Sequence, residues 1–270
     1  MFEPRFTGFD LYSSNNVRQC FGELYTNEVF VEDKTGVKTL EILNAQFVAD
    51  ESSIFGKVDD SYLKKEIDWY KTEIQNISAM AEPVPALWKS TAGTDGETNS
   101  NYGWAVHSVE NFLQYGSVLD ELITNPFSRR AIMIYTRPEM QIDYNSRGKN
   151  DFMCTNNVQY FIRHSRLETL VSMRSNDAVF GYKCDRHWQM VVRDRLFSDL
   201  KPHYPHLTRG SIVWNAGSLH IYERHFYLVW GWLQTGKHDL STKETDELRR
   251  EYDQKNSSTK QMGSEILGGS

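Results

Sequence analysis

Residues 152–177 read FMCTNNVQYFIRHSRLETLVSMRSND, and this stretch decides the fold. Two runs rich in β-branched and aromatic residues, Val158–Ile162 and Leu167–Met173, flank a polar turn, which predicts a β-hairpin. Cys154 stands just before the first run, and Arg174 and Ser175 follow the second. The predicted hairpin is therefore flanked by residue types that are common in catalytic and binding sites.

Strand and helix patterns alternate along the rest of the chain. Residues 39–48 alternate in part and predict a strand, and Asp60-Ser61 is expected to cap a helix. Further predictions are a helix from Ser108 to about Thr124, a buried strand at Arg130–Tyr135, a helix from Asp185 to Leu200, short strands at Ser211–Trp214 and Leu219–Tyr222, and an apolar helix to Leu233. Hairpins outnumber βαβ units, which favours an α+β protein with helices packed on a mixed sheet.

Composition narrows the class of protein. The 270 residues carry 30 Lys+Arg against 36 Asp+Glu, a net charge of -6, which argues against direct nucleic-acid binding but allows a local basic cluster. The longest apolar run, Phe226–Leu233, is too short to cross a membrane, and no secretory signal is visible. Cys20, Cys154 and Cys184 form no CxxC pair, so we expect a reduced, cytoplasmic protein without a metal.

The chain is expected to form one catalytic domain over residues 1–240. Ser241 and Glu244 make a capping-box pattern, and a charged stretch follows it. We therefore predict a polar C-terminal helix and a flexible tail over residues 241–270.

Glu66 is the first candidate for chemistry. In the helix that begins near Asp60 it lies three residues after Leu63 and four before Tyr70, and so shares the core-facing stripe that Ile67, Ile74 and Ile77 extend. An ionised carboxylate on an apolar face costs free energy unless it has partners. The alternatives are a helix phase that is off by one residue, or a pairing with a buried arginine.

Several further residues have both a functional and a structural interpretation. Cys154 is either an inert core residue or, near basic groups, a thiolate nucleophile. Arg129-Arg130 and Arg174-Ser175 adjoin predicted strands and suit a phosphate, although surface ion pairs would use the same residues. His220 and Tyr222 share one strand face, where they either hydrogen-bond a sugar or only pack.

The order of these motifs resembles the thymidylate synthase superfamily. Within it, the similarity is greater to the deoxycytidylate (dCMP) hydroxymethylase branch of bacteriophages. The stretches that carry this resemblance, over roughly residues 30–236, are 33–39, 99–104, 133–138, 152–156 and 173–177. Met153 stands where synthases usually have Pro and Thr155 where they have His, and both changes agree with the hydroxymethylase branch.

The resemblance implies a covalent mechanism. Cys154 would add to C6 of the pyrimidine, after which C5 attacks the methylene group of the co-substrate 5,10-methylenetetrahydrofolate. A hydroxymethylase then adds water to the exocyclic methylene group, whereas a synthase delivers hydride from folate. Glu66 would orient that water and relay protons, and Tyr102 would belong to the same water network.

The resemblance also implies how substrates are held. Family members are homodimers whose large sheets pack back to back. The residues implied for the nucleotide phosphate are Lys34, Arg174 and Ser175 of one subunit with Arg129 and Arg130 of the other. Those implied for the 3′-hydroxyl are His220 and Tyr222, and those for folate are Trp88 and Asp177.

The expectation that the substrate base is cytosine depends on Asp185. It lies eleven residues after Arg174, where thymidylate synthases have Asn. A carboxylic acid can donate its proton to N3 of cytosine and accept a hydrogen bond from the N4 amino group. A flipped Asn could also pair with cytosine, and Asp185 could instead cap the helix predicted to begin there.

The sequence therefore predicts dCMP hydroxymethylation. The alternatives are reductive methylation of dCMP or dUMP and a non-catalytic nucleotide- or RNA-binding relative. The product would serve DNA modification, in a bacterial host cytoplasm if the chain is phage-encoded.

Overall fold

The computed structural model describes residues 12–32 and 36–267. The strands are β1 Tyr12–Ser13, β2 Val31–Glu32, β3 Lys38–Val48, β4 Ile132–Ile134, β5 Thr155–Arg163, β6 Arg166–Asp177 and β7 Thr208–Tyr222. The helices are α1 Ser14–Thr26, α2 Asp60–Tyr70, α3 Ala86–Thr91, α4 Tyr102–His107, α5 Gln114–Thr124, α6 Met140–Asp143, α7 Gly181–Leu200, α8 Phe226–Thr235 and α9 Thr242–Leu267. Single 3₁₀ turns lie at Ile77–Ala79, Ser146–Gly148 and Glu223–His225.

The strands form one mixed sheet, with seven strands in the described ranges. Its order is β1-β3-β7-β6-β5-β4, and β2 pairs with β3 outside this path. The β1–β3 and β6–β7 pairs are parallel, and the other neighbours are antiparallel. The prediction of an α+β protein with a mixed sheet is confirmed.

One face of the sheet carries the core, and the other is only partly covered. Val158, Val171 and Trp214 lie side by side across β5, β6 and β7 and are fully buried. The next row on the opposite face, Gln159 and its neighbours on β6 and β7, is half-buried. Helix α7 packs against β6 and β7, so the core lies between this long helix and the sheet.

The hairpin and the strand over residues 39–48 are confirmed. β5 and β6 pair from Thr155 with Met173 to Arg163 with Arg166, which leaves two residues for the polar turn. His164 and Ser165 form it with φ values of 49° and 57°. The hairpin brings residue 154 and residue 174 to the same end, where the Arg174 N–H donates to the Cys154 carbonyl at 2.9 Å.

The helix of Glu66 is shorter than its pattern predicted. It ends at Tyr70, Glu73 adopts a left-handed conformation with φ 57°, and Ile74 is 49 % exposed. The extension to Ile77 is wrong because the chain turns away to meet another segment. There the amide of Asn101 donates to the Ile74 carbonyl at 2.9 Å.

Tertiary contacts also change the helix predicted from Ser108. Ser108 ends α4 instead, and α5 begins at Gln114. The intervening turn places Phe112 and Leu113 in left-handed conformations and leaves Phe112 87 % exposed, so the pattern that suggested one helix spans a break.

Three other boundaries differ from the sequence pattern. The two short strands predicted after residue 210 are one 15-residue strand, because β7 lies centrally and pairs with β3 and β6 along its length. The buried strand predicted at Arg130–Tyr135 is shortened to Ile132–Ile134. Helix α7 begins at Gly181 rather than at Asp185, so the predicted start is wrong and the alternative interpretation of Asp185 as its cap does not hold.

The last described helix, α9, packs against α8, where Trp230 and Tyr252 have ring centroids 5.8 Å apart. Within residues 12–32 and 36–267, no helix has both the length and the apolar character needed to cross a membrane.

Candidate active site

Cys154 lies immediately before β5, against the side chain of Arg174. An Nη nitrogen of Arg174 is 3.8 Å from Cys154 Sγ. The guanidinium is fixed by the segment just before the cysteine, because its Nε donates to the Met153 carbonyl at 3.0 Å and its Nη2 donates to the Phe152 carbonyl. The thiol is therefore beside a cation whose position is set by backbone bonds.

The Cys154 thiol is protonated in this resting site. Burial, with a smaller contribution from the nearby Asp185, raises its pKa to about 12, although Arg174 acts to lower it. The cation acts in the direction expected for a nucleophile, but burial has the larger effect. A nucleophilic role requires that the thiol proton be removed when a ligand is present.

Glu66 faces the core, as its position on the helical stripe predicted. Its side chain is 4 % exposed, and its hydrogen-bond partners are not arginines. The indole N–H of Trp88 donates to Glu66 Oε1 at 3.2 Å, and the Tyr62 hydroxyl donates to the same oxygen at 3.4 Å. Burial and repulsion from Asp185 raise the pKa of Glu66 to about 8.

Asp185 is the second acid of the site. It lies one turn into α7, and Asn176 Nδ2 at the end of β6 donates to its Oδ2 at 2.7 Å. Burial raises the pKa of Asp185 to about 7, although hydrogen bonds from Tyr102 and Asn176 lower it. A sizeable fraction of this carboxyl group therefore carries a proton at neutral pH.

Tyr102 links the thiol to the acids. It opens α4 and is 3 % exposed, and its ring stacks on that of Tyr70 with centroids 5.3 Å apart. Burial, Asp185 and Cys154 all raise its pKa well above the usual value. Cys154, Glu66, Tyr102 and Asp185 are thus distant in sequence but form one largely buried group, called here the cleft, whose members influence one another's pKa values.

The end of the β6–β7 pair adds polar groups beside this cleft. Asp177 lies opposite His220 in the sheet register. The rings of His220 and Tyr222 are 4.9 Å apart, on the shared strand face that the sequence predicted. Charges on Arg174 influence the pKa of both side chains, which shows that they lie near the cation beside the thiol. Ser175 lies on the strand between Arg174 and Asp177 and is half-buried.

Arg129 and Arg130 are not brought to this cleft within one chain. Both are exposed, and Arg130 pairs with Glu121 at 3.1 Å. They precede Ala131, whose carbonyl accepts the Tyr160 N–H at 2.8 Å, so they lie near the far end of β5. Six residues of extended strand separate that point from Cys154, about 20 Å. Lys34 lies outside the described residues.

The two residues expected to contact folate occupy different settings. Trp88 is only 7 % exposed, and its N–H already donates a hydrogen bond to Glu66. Asp177 Oδ1 accepts the backbone N–H groups of Val179 at 2.7 Å and Phe180 at 3.3 Å, and neither bond uses Oδ2. Asp177 Oδ2 therefore makes no hydrogen bond to the described residues, whereas the Trp88 N–H is already bonded to Glu66.

Three residues near the acids were not predicted. Tyr62 stands four residues before Glu66 on α2, a spacing that could have indicated the contact. Asn176 lies within the motif that was recognised, but nothing in the sequence showed that it would reach Asp185. Cys184 influences the pKa of Glu66, and its own pKa is raised by burial and by that acid.

One surface depression of the described chain lies away from these residues. An open depression beside β4 is lined by Trp104, Phe112, Ile134 and Arg137 among others, and none of its residues is a predicted site residue. Residues 12–32 and 36–267 contain no group of three or more His, Cys, Asp or Glu side chains that could hold a metal.

A thiol beside a fixed arginine, with two buried carboxylic acids close by, is a set of groups suited to nucleophilic catalysis. Comparisons with known proteins place the chain in a family. The family model described as Thymidylate synthase matches residues 18–258. The chain belongs to the thymidylate synthase family.

Two phage proteins are close relatives. The deoxycytidylate 5-hydroxymethyltransferases of Enterobacteria phages T6 and T4 are each 49 % identical to it over 237 residues, which is 87 % of this chain and 96 % of theirs. Thymidylate synthase of Francisella tularensis subsp. holarctica (strain FTNF002-00 / FTA) is 24 % identical over 218 residues, covering 75 % of this chain and 78 % of that protein. The solved structure of thermostable thymidylate synthase A from Bacillus subtilis is similar in fold, with a TM-score of 0.60, 17 % identity, and coverage of 80 % of this chain and 83 % of the other.

Proposed function

We propose that this chain transfers a one-carbon unit from 5,10-methylenetetrahydrofolate to C5 of dCMP and adds water, giving 5-hydroxymethyl-dCMP and tetrahydrofolate. The observation that carries the proposal is Asp185, an acid with a pKa of about 7 in the same cleft as the Cys154 thiol. The names of the phage relatives support this substrate and product.

Asp185 selects the base through its protonation state. The protonated carboxyl group donates to N3 of cytosine and accepts from the N4 amino group. Uracil presents the opposite pattern, an N3–H donor and an O4 acceptor. A buried mismatch of donors and acceptors leaves polar groups unpaired, which costs about 1–3 kcal/mol for each group. A carboxylic acid whose proton faces N3 therefore favours the amino-substituted pyrimidine.

The chain's own residues supply the covalent steps. Cys154 Sγ bonds to C6, and Asp185 gives a proton to N3 as electron density moves into the ring. Bound 5,10-methylenetetrahydrofolate supplies the CH2 group that C5 acquires. Loss of the C5 proton and of tetrahydrofolate leaves an exocyclic methylene group on the base. Water adds to that carbon, the bond between sulfur and C6 breaks, and the ring is restored.

Glu66 is suited to the water step. Hydrogen bonds from Tyr62 and Trp88 to Oε1 orient its carboxyl group. A raised pKa of about 8 lets the group exchange a proton with water near neutral pH, where an ordinary carboxylate would stay ionised. Tyr102 adds a hydroxyl to the same cleft.

Nucleotide binding would use groups from two subunits. Arg174, Ser175, His220 and Tyr222 lie together near the thiol and can hold phosphate and sugar. Arg129 and Arg130, about 20 Å away along β5, would serve the partner's site in a homodimer. The half-covered sheet face is available for such back-to-back packing. All proposed site residues lie within residues 1–240, and α9 contributes none.

Mass spectrometry of the nucleotide product tests this function. With dCMP and 5,10-methylenetetrahydrofolate, we expect a mass gain of CH2O and release of the C5 hydrogen. A gain of CH2 alone, with absorbance growth from dihydrofolate, would show reductive methylation instead. Nucleotide binding without release of the C5 hydrogen would favour a binding protein. Cys154→Ser serves as the matched control, since it should bind dCMP and form no product.

A further inference from the structure

Asn176 makes one short hydrogen bond and leaves another polar atom unpaired. The side chain is 2 % exposed, and its Nδ2 donates to Asp185 Oδ2 at 2.7 Å. Its Oδ1 is buried and accepts no hydrogen bond from the described residues. A purely structural asparagine is expected to satisfy both ends of its amide, because an unpaired buried acceptor costs free energy. The bond to Asp185 is therefore the contact that this residue is placed to make.

The backbone nearby leaves room for this bond. Gly181, the first residue of α7, faces both side chains. A Cβ atom at this position would stand 3.2 Å from Asn176 Nδ2 and 3.6 Å from Asp185 Oδ2. A contact of 3.2 Å is closer than ordinary packing, so a side chain here would push on the amide. The glycine thus preserves the geometry of the amide–carboxyl pair.

We propose that Asn176 is a specificity-determining positioning residue, which keeps Asp185 Oδ2 as an acceptor and so places the proton of the acid on Oδ1. This inference rests on the proposed function and extends it. An oxygen that already accepts an amide N–H is the poorer site for a proton. The Tyr102 hydroxyl can rotate and either donate or accept, whereas the amide N–H can only donate. Asn176 is therefore the group that fixes the arrangement.

With its proton on Oδ1 and with Oδ2 kept as an acceptor, Asp185 matches the hydrogen-bonding edge of cytosine. The Oδ1–H group donates to N3 of cytosine, and Oδ2, which has a second lone pair, accepts from the N4 amino group. Uracil would place its N3–H against the O–H donor and its O4 against Oδ2. Without Asn176, the proton could move to either oxygen and the carboxyl group could turn. Preference for the amino-substituted base would then weaken although Asp185 is still present.

Direct binding measurements test this role. Titration calorimetry with dCMP and with dUMP gives a ratio of affinities for the wild type and for Asn176→Ala and Asn176→Leu. We expect the dCMP-to-dUMP ratio to fall at least about tenfold in both variants. Leucine has a volume similar to that of asparagine, so this variant removes the amide without leaving a cavity that could destabilise the fold. Gly181→Ala, which disturbs the amide without removing it, should lower the ratio in the same direction. Asn145→Ala, at an exposed asparagine, is the matched control.

The outcomes separate this inference from the proposed function. Equal losses of affinity for both nucleotides would indicate a structural role only and would overturn the inference. A wild type that forms 5-hydroxymethyl-dCMP while the Asn176 variants keep the full ratio would overturn the inference alone. A wild type that forms no such product, but whose preference for dCMP depends on Asn176, would overturn the proposed function alone.

Discussion

Replacing Glu66 with glutamine should make the protein more resistant to unfolding at high pH. The carboxyl group is 4 % exposed on the apolar side of α2, and burial is the main cause of its raised pKa. Glutamine has nearly the same shape and can still accept the hydrogen bonds that Trp88 and Tyr62 donate to Oε1. The substitution therefore removes the ionisation while it keeps the packing.

The sign and size of the effect follow from the pKa values. Glu66 ionises near 4.5 in the unfolded chain and near 8 in the folded protein. Between these values the folded state holds a proton that the unfolded state has released, so stability falls as pH rises. Each pKa unit is worth about 1.4 kcal/mol, which sets the full loss at about 5 kcal/mol above pH 8. Glutamine does not titrate and escapes this loss.

Urea unfolding of both proteins between pH 5 and pH 9 measures the difference. We expect the free energy of unfolding of Glu66→Gln, relative to wild type, to increase steadily over this range by at least about 2 kcal/mol, since water entering the cleft reduces the full value. Glu110→Gln, at an exposed glutamate, is the control. Curves for wild type and Glu66→Gln that stay parallel would refute the inference that Glu66 is held against ionisation in the fold.

Other predictions concern the thiol, the base and the subunits. Alkylation of Cys154 by iodoacetamide in the absence of ligands should be slow at pH 7 and still accelerating at pH 10, because the thiol pKa is raised to about 12; a rate that levels off below pH 9 would contradict this. Asp185→Asn should bring the kcat/KM values for dUMP and dCMP closer together by at least about tenfold, and an unchanged ratio would argue against its role at the base. Mixing inactive Cys154→Ala and Arg129→Ala subunits should restore activity, since one site of each heterodimer would be complete. Absence of rescue in a mixture shown to exchange subunits would count against arginines donated by the partner.

The fold was predictable where pattern and packing agree. The hairpin of β5 and β6 combines alternating apolar residues with a polar turn, and its register places Val158 opposite Val171 in the core. Prediction failed at Ile74 and at Phe112, which continue a helical pattern although the chain has already turned. In the first case the Asn101 amide bonds the Ile74 carbonyl from a distant segment, which no local pattern reports.

How much of the site the sequence alone could predict differs from residue to residue. Helical spacing alone indicated a buried Glu66, and the structure confirms that position. Cys154 and Asp185 needed the family resemblance, because a lone cysteine and a lone aspartate have no periodic signal. Asn176 was missed because its importance lies in one contact across 9 residues, from the end of β6 to the first turns of α7. Contacts of this kind depend on side-chain direction, which sequence spacing does not fix.

Burial opposes negative charge on Cys154, Glu66 and Asp185, and this common cause constrains the order of proton transfers. A thiolate attacking an unprotonated ring would add a charge to a cleft that already disfavours one. On the proposed reaction that charge need not form, because the proton lost by Cys154 is balanced by the proton that Asp185 gives to N3. Neutral thiol and neutral base then become a neutral adduct, and Asp185 recovers its proton from the thiol. Uracil has no acceptor at N3 and would have to take the proton at O4, which the proposed orientation of Asp185 places against an acceptor oxygen. The burial that makes the resting thiol unreactive therefore also favours addition to cytosine over addition to uracil.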